Sequence, residues 1–199
     1  MEPDDDVLAK RSQEGGLAAF NAIVGRYESQ VFNTPARILG NRASAEDVAQ
    51  ETFVSAYRAI GRFRGGSLRA WLMRIATNLS LDTIRASKRH SEESLDQHML
   101  NPGFQVPSRS ESPEQMAIRG ELGAEIQRAI QSLPEDHRAL LVLIDVQGLS
   151  YDEAAAAMGA SLGTVKSRLS RAGRGCATIC WSGGNFCPSN SVSYRIGVF

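Results

Sequence analysis

The sequence predicts an all-α protein: two small helical domains joined by a flexible linker. Three observations predict it. Apolar residues recur at three- and four-residue spacing in both halves, and no stretch alternates as a strand would. Between the halves lies a tract rich in proline, serine and acids without a sustained apolar period. With 199 residues the chain can build one large domain or two small ones, each with a modest core.

After an N-terminal arm, residues 1–14, the first helix is predicted from Phe20, Ile23, Val24, Tyr27 and Val31, which share one helical face. Pro35 interrupts it, because its ring removes an N–H and collides with the carbonyl four residues back. Either the helix kinks there, or Thr34 caps a new short helix that Pro35 opens. Ser44, with Asp47 three residues on, resembles a capping box. The helix it opens has an inner stripe of Ala45, Val48, Ala49, Thr52, Phe53, Ala56, Tyr57 and Ile60. Glu46, Asp47, Gln50, Glu51 and Val54 fall largely off that stripe. Beyond the loop Arg62-Phe63-Arg64-Gly65-Gly66, Ser67 is placed to cap a third helix striped with Leu68, Trp71, Leu72, Ile75, Ala76 and Leu79.

Residues 91–120 read as the tether. Periodicity returns with Leu122, Ile126, Ala129, Ile130 and Leu133. Pro134 stands where the next helix begins, with Glu135 and Asp136 well placed near its positive end, and Gly148 suits its C-terminus. Ser150-Tyr151-Asp152-Glu153 has the composition of a capping box and opens a short helix of small residues, Ala154 to Met158. Gly159 supplies a turn and Ser161 a cap for the next helix. There Val165 and Leu169 face inward, while Lys166, Ser167, Ser170 and Arg171 form one outward face. A helix-turn-helix needs that division: one stripe packs, the other enters the major groove. The end of an ordinary three-helix bundle shows a similar pattern, so spacing alone does not decide.

Charge adds to the case. The formal net charge is zero, but residues 58–90 carry eight Lys or Arg against one acid, and residues 160–199 carry five against none. A phosphate backbone responds to such local cationic surface rather than to the total. In the first block Arg74, Asn78, Arg85 and Lys88 follow at i, i+4, i+11 and i+14, with Arg89 beside them. Arginine and lysine suit backbone contact, and asparagine suits limited base reading. Trp71 lies on the apolar stripe and reads as core; Phe63 stays open as a stacking surface for unpaired bases.

Other chemistries find no support. No run of eighteen apolar residues is present, so no membrane insertion is expected, and the acidic start is unlike a secretory signal. A cytoplasmic protein is expected. There is no phosphate loop of the GxxxxGK type, and His90, His98 and His137 stand apart. Cys176, Cys180 and Cys187 lack a fourth obvious metal ligand. No catalytic residue, metal or cofactor is expected.

These motifs together resemble a known family. EDVAQETFVSAYRAI at residues 46–60, followed by FRGG, SLRAWLMRIATNLSLD and IRASKR, is similar to the second conserved region of extracytoplasmic-function (ECF) sigma factors of the sigma-70 family. Residues 126–171, from IQRAIQSLPEDHR to GTVKSRLSR, resemble the fourth region. The resemblance implies region 2 over residues 15–90, a linker over 91–120 and region 4 over 121–172. It implies a promoter-directing subunit without catalysis, which binds core RNA polymerase through the β′ clamp helices and the β flap. Glu46, Asp47, Gln50, Glu51 and Val54 would meet polymerase. Phe63, Arg64, Arg74, Asn78, Arg85, Lys88 and Arg89 would read and help open the −10 element. Ser161, Thr164, Lys166, Ser167, Ser170 and Arg171 would read the −35 element. It also implies an anti-sigma factor. A free-standing helix-turn-helix regulator, and a degenerate sigma factor that only titrates an anti-sigma factor, are the alternatives.

The end departs from the family pattern. Gly173 and Gly175 are expected to stop the recognition helix, leaving an atypical Gly/Ser/Cys tail over residues 173–199. A disordered extension, a shifted reading frame and a small cysteine-bearing sensor are the competing explanations for it.

Overall fold

The computed structural model describes residues 4–93 and 123–182, and every regular element among them is helical. The tether apart from its first three positions, Leu122, and the tail beyond residue 182 with Cys187 lie outside the described residues.

Helix α1 (Asp5–Gln13) opens on the Asp4 carboxylate, which accepts the Asp5 N–H, and carries Asp5 and Asp6 in its first turn where the helix dipole favours them. It buries Leu8, Ala9 and Ser12. Helix α2 (Leu17–Leu39) continues through Pro35, so no new helix is capped at Thr34. The Thr34 hydroxyl donates to the Gln30 carbonyl at 3.0 Å, one position before the Val31 carbonyl that Pro35 leaves without a helical N–H. Helix α2 ends at Gly40, whose φ of +70° is the left-handed cap conformation.

Helix α3 (Arg42–Ala59) begins earlier than the expected capping box. Asn41, not Ser44, is the cap: its side-chain oxygen accepts the Ser44 N–H at 3.2 Å. A 3-10 turn (Ile60–Arg62) and a loop lead to α4 (Leu68–Glu93), capped by Ser67, which accepts the Ala70 N–H at 3.1 Å. Helices α2, α3 and α4 pack around Ile23, Val31, Ile38, Leu68, Leu72 and Met73, each at most 1% exposed. Truncating one of these, such as Leu72→Ala, costs about 2–5 kcal/mol.

The second half comprises α5 (residues 123–131), α6 (Glu135–Leu141) with a π-helical turn (Val142–Val146), α7 (Tyr151–Met158) and α8 (Leu162–Ser182). The Ser150–Glu153 capping box is present in both directions, and Gly159 turns the chain at φ +59°. Val165 and Leu169 are buried and seat α8 on the domain. The expected stop at Gly173 does not occur: α8 passes through Gly173 and Gly175. Glycine in a helix interior costs about 1 kcal/mol relative to alanine, which weakens a helix without ending it. Gly173, buried beside buried Ala172, does not take the left-handed conformation of a glycine cap.

The halves pack together. The last turn of α2 leaves carbonyls without helical partners, and the second half supplies donors for them. Gln127 and Gln131 donate to the Arg37 carbonyl at 3.1 and 2.9 Å, and Arg138 donates to that of Ile38 at 2.8 Å. Gly40 is required here twice over, by its φ and because a Cβ would come within 2.8 Å of the Gln131 side chain. Alongside, the small residues of α7 let that helix lie against α4.

Candidate polymerase and nucleic-acid interface

The α3 helix buries Ala45, Val48, Ala49, Thr52 and Ala56, and so turns Glu46, Asp47, Gln50, Glu51 and Val54 toward solvent. Val54 is 41% accessible, a large apolar side chain left open among polar ones. Arg42 Nε donates to Glu46 at 2.9 Å and Ser55 to Glu51 at 3.1 Å, contacts local to α3. Tyr57 belongs to this face as well. Placed on the inner stripe by its sequence spacing, it is 45% exposed, with one edge of its ring on Phe20 at 5.0 Å. Its separation of three from Val54 was the available signal.

On α4, Arg74, Asn78, Arg85, Lys88 and Arg89 are all exposed along one side. Arg85 pairs with Asp82 at 3.0 Å, within its own helix. Lys88 reaches across to Glu135 at the start of α6. That ammonium, with Glu135's place at a helix start second, holds the carboxyl below its usual range.

Phe63 is only 9% exposed, its ring tilted on Trp71 at 5.3 Å, and with Trp71 it lines the floor of a cleft beside the loop. The aromatic side chain next to a glycine-rich loop is buried because Trp71, half-buried on α4, needs a partner there. Arg64, next in the chain, is exposed. Above this floor lies a cleft of about 360 Å³, lined by Arg62, Arg64 and Arg74 on one side and by Glu153 and Ala156 of α7 on the other.

On α8, Lys166, Ser167 and Arg171 are exposed, and Thr164 and Ser170 are half-buried. Ser161 caps the helix by accepting the Thr164 N–H at 3.1 Å. Arg168 was absent from the outward set expected on periodicity: it lies four residues after Thr164 and pairs with Asp136 at 3.0 Å. His137, half-buried nearby, is held below its usual pKa by burial first and then by Arg168 and Arg171. A second cleft, of about 690 Å³, brings Asn78, Asp82 and Arg85 of α4 face to face with Ser161, Thr164 and Arg168. The two candidate DNA-reading helices therefore share one cleft. No group of three or more potential metal ligands exists among the described residues.

Comparison with known proteins agrees with this geometry. Residues 23–90 match the family described as Sigma-70 region 2, and residues 123–174 match Sigma-70, region 4. The chain is 36% identical to the ECF RNA polymerase sigma factor SigE of Mycolicibacterium smegmatis, over 86% of this chain and 67% of that one. It is 37% identical to the RNA polymerase sigma-H factor of Pseudomonas aeruginosa, over 86% and 91%.

The chain belongs to the ECF sigma factors. As such it acts in transcription initiation.

Solved structures carry the same fold. The sigma factor RpoE of Bartonella quintana, seen in complex with the anti-sigma factor NepR, matches this sigma factor with a TM-score of 0.68 and 25% identity, over 81% of this chain and 96% of that one. CnrH, in complex with the cytosolic domain of CnrY, matches with a TM-score of 0.65 and 28% identity, over 89% and 97%. No helix among the described residues is long and apolar enough to cross a membrane.

Proposed function

We propose that this sigma factor binds core RNA polymerase through the exposed face of α3, reads the −10 element with α4 and its preceding loop, and reads the −35 element with α8. Region 2 is taken as residues 15–90 and region 4 as 121–172, joined by 91–120, with α8 running on past residue 172 to Ser182. The observation that carries this reading is the division of surfaces. One acidic and apolar face stands open on α3, and two cationic helical edges stand on separate domains. A free-standing regulator has no use for the first.

On α3, Asp47, Gln50 and Glu51 supply charge and hydrogen bonding, with Glu46 at the edge and Val54 and Tyr57 as the apolar end. The partner is the β′ clamp, with the β flap engaging region 4. On α4, Arg74, Arg85, Lys88 and Arg89 neutralise phosphate, and Asn78 contacts a base. The cleft above Phe63 suits an unstacked base, with guanidinium groups on its walls and the Phe63–Trp71 pair on its floor. On α8, Lys166, Ser167, Ser170 and Arg171 enter the major groove, while Ser161 and Thr164 support its end. Promoter opening is then driven by binding energy, with no hydrolytic step, and the protein works in the cytoplasm.

The two elements are about 25 positions apart by name, roughly 85 Å of duplex at about 3.4 Å per base pair. One cleft cannot hold both. The closed arrangement is thus the form that waits, and the halves separate when polymerase binds. An anti-sigma factor, such as the one seen with RpoE, would act on this same equilibrium. The test is reconstitution: purified protein added to core polymerase should give promoter-dependent transcripts from genomic DNA. Failure to bind core rejects the reading.

A further inference from the structure

The N-terminal helix α1 takes no part in the polymerase and promoter contacts proposed for α3, α4 and α8, yet its two ends are tied down in different ways. At its start, Asp5 accepts from Arg26 at 2.6 Å and from the Tyr27 hydroxyl, both on α2. Its middle buries Leu8, Ala9 and Ser12 against the bundle. At its end, Gln13 reaches the loop between α3 and α4. Its side-chain amide has two N–H donors, and Nε2 serves two carbonyls: Ile60 at 3.0 Å and Phe63 at 2.7 Å.

The bond to Phe63 bears directly on the next residue. The Phe63 carbonyl and the Arg64 N–H belong to one planar peptide unit. Holding the oxygen therefore fixes the direction in which the chain leaves toward Arg64. Beyond Arg64 come Gly65 and Gly66, at φ +86° and +88°, and a Cβ at either would meet nothing within 4 Å. The next fixed point is Ser67, the cap of α4. Between these anchors the glycines leave the backbone freedom to swing.

We infer that Gln13 is a positioning residue for promoter reading: α1 is a strut whose terminal amide aims Arg64 at the −10 strand. This rests on the assignment of the loop to the −10 element. The partner chemistry is a single-stranded, unstacked segment of DNA, whose phosphates and bases Arg64 would meet.

The experiment uses the full chain bound to core polymerase. The probe is a labelled non-template-strand oligonucleotide carrying the −10 element of a promoter mapped from holoenzyme transcripts. Gln13→Ala and the isosteric Gln13→Glu, which has no donor at neutral pH, should each weaken oligonucleotide binding about three- to tenfold, the range expected for one or two hydrogen bonds. Core affinity should not change, and the melting temperature should fall by no more than the few degrees that one or two hydrogen bonds are worth. Arg64→Ala should weaken binding by at least as much. Adding Gln13→Ala to Arg64→Ala should then cost nothing more, because the amide acts only through Arg64. A purely structural role would instead leave a cost of Gln13→Ala on oligonucleotide binding that persists without Arg64. Additive losses, or a Gln13→Ala protein with wild-type affinity beside a weakened Arg64→Ala protein, overturn the strut. An Arg64→Ala protein with wild-type affinity overturns the −10 assignment of the loop, and the strut with it.

Discussion

The faces of α3 and α8 make an instructive pair. Both are polar surfaces of amphipathic helices whose opposite stripe is buried. On α3 the polar side, from Glu46 to Tyr57, stands open to a protein partner. On α8 one edge, through Ser161, Thr164 and Arg168, looks into a cleft whose other wall is α4. Arg168 is already neutralised by Asp136, and Lys88 on the facing side by Glu135. The face proposed for polymerase is open as folded, whereas the faces proposed for DNA are partly occupied by the molecule itself. Under the proposed function that difference gives an order to events: polymerase first, promoter second.

The sharpest way to break this comparison is to destroy the open face alone. Charge reversal at two positions, Asp47→Lys with Glu51→Lys, should weaken core binding about a hundredfold or more, as like charges meet in place of complementary ones. Helix α3 should survive, because both side chains are exposed and make no contact that the core depends on. Electrophoretic or fluorescence titration with core polymerase measures the loss, and circular dichroism checks the fold. Retention of wild-type core affinity would remove the ground for assigning α3 to polymerase.

Next in size are the cationic contacts of α8. Arg171→Ala should cost the holoenzyme about 1–3 kcal/mol at a −35 site if the guanidinium reads a base, and relax preference at that base pair. If it meets phosphate instead, affinity falls uniformly across sequences, and the salt dependence of binding drops by about one counterion. Lys166→Ala serves as the companion. Binding measured at several salt concentrations on matched and mismatched sites separates the cases, and no effect from either substitution would place the −35 surface elsewhere.

Local features were legible in the sequence and distant ones were hidden. Ser67, Ser150 and Ser161 cap their helices and Gly148 and Gly159 turn the chain as expected, because a cap is a matter of three or four neighbouring residues. The outward set on α8 and the five positions on α3 are solvent-facing or half-exposed because periodicity alone assigns them. Periodicity puts Tyr57 on the wrong side and leaves Phe63 open. Each is an aromatic at the margin of a stripe, and its packing against Phe20 or Trp71, on another helix, decides which way it lies. Gln127 and Gln131 carry no local signal, yet they bind a carbonyl 90 and 94 residues away on α2. No local period encodes such a contact. The union of the two halves was therefore invisible until α2's unpaired carbonyls were placed beside their donors.

The smallest expected effect tests the closed cleft through its pH dependence. Glu135 is held below the usual carboxylate range, chiefly by Lys88 and by its own position at the helix start, with Arg138 adding to it. Glu153, on the neighbouring wall, is lowered as well, first by the Ser150 backbone and also by Ser67 and Arg69 of the first half. A depressed carboxyl pKa stabilises the state in which it is depressed above its ordinary value of 4.5, and that contribution fades as pH falls below it. Closure should thus hold at neutral pH and loosen below about pH 4.5. Because Lys88 is largely exposed, its ion pair contributes little, of the order of 0.2–1 kcal/mol. Glu135→Gln should raise the open fraction less than about fivefold at neutral pH and remove part of the acid-induced opening. Energy transfer between dyes at positions 89 and 166, in a chain with its three cysteines replaced by serine, reads the separation directly. A transfer efficiency unchanged from about pH 7 down to about pH 4, in a chain whose far-ultraviolet signal stays helical, would show that these pairs do not hold the cleft shut. The polar donors of α5 and α6 on the end of α2 would then be the latch that holds the halves together.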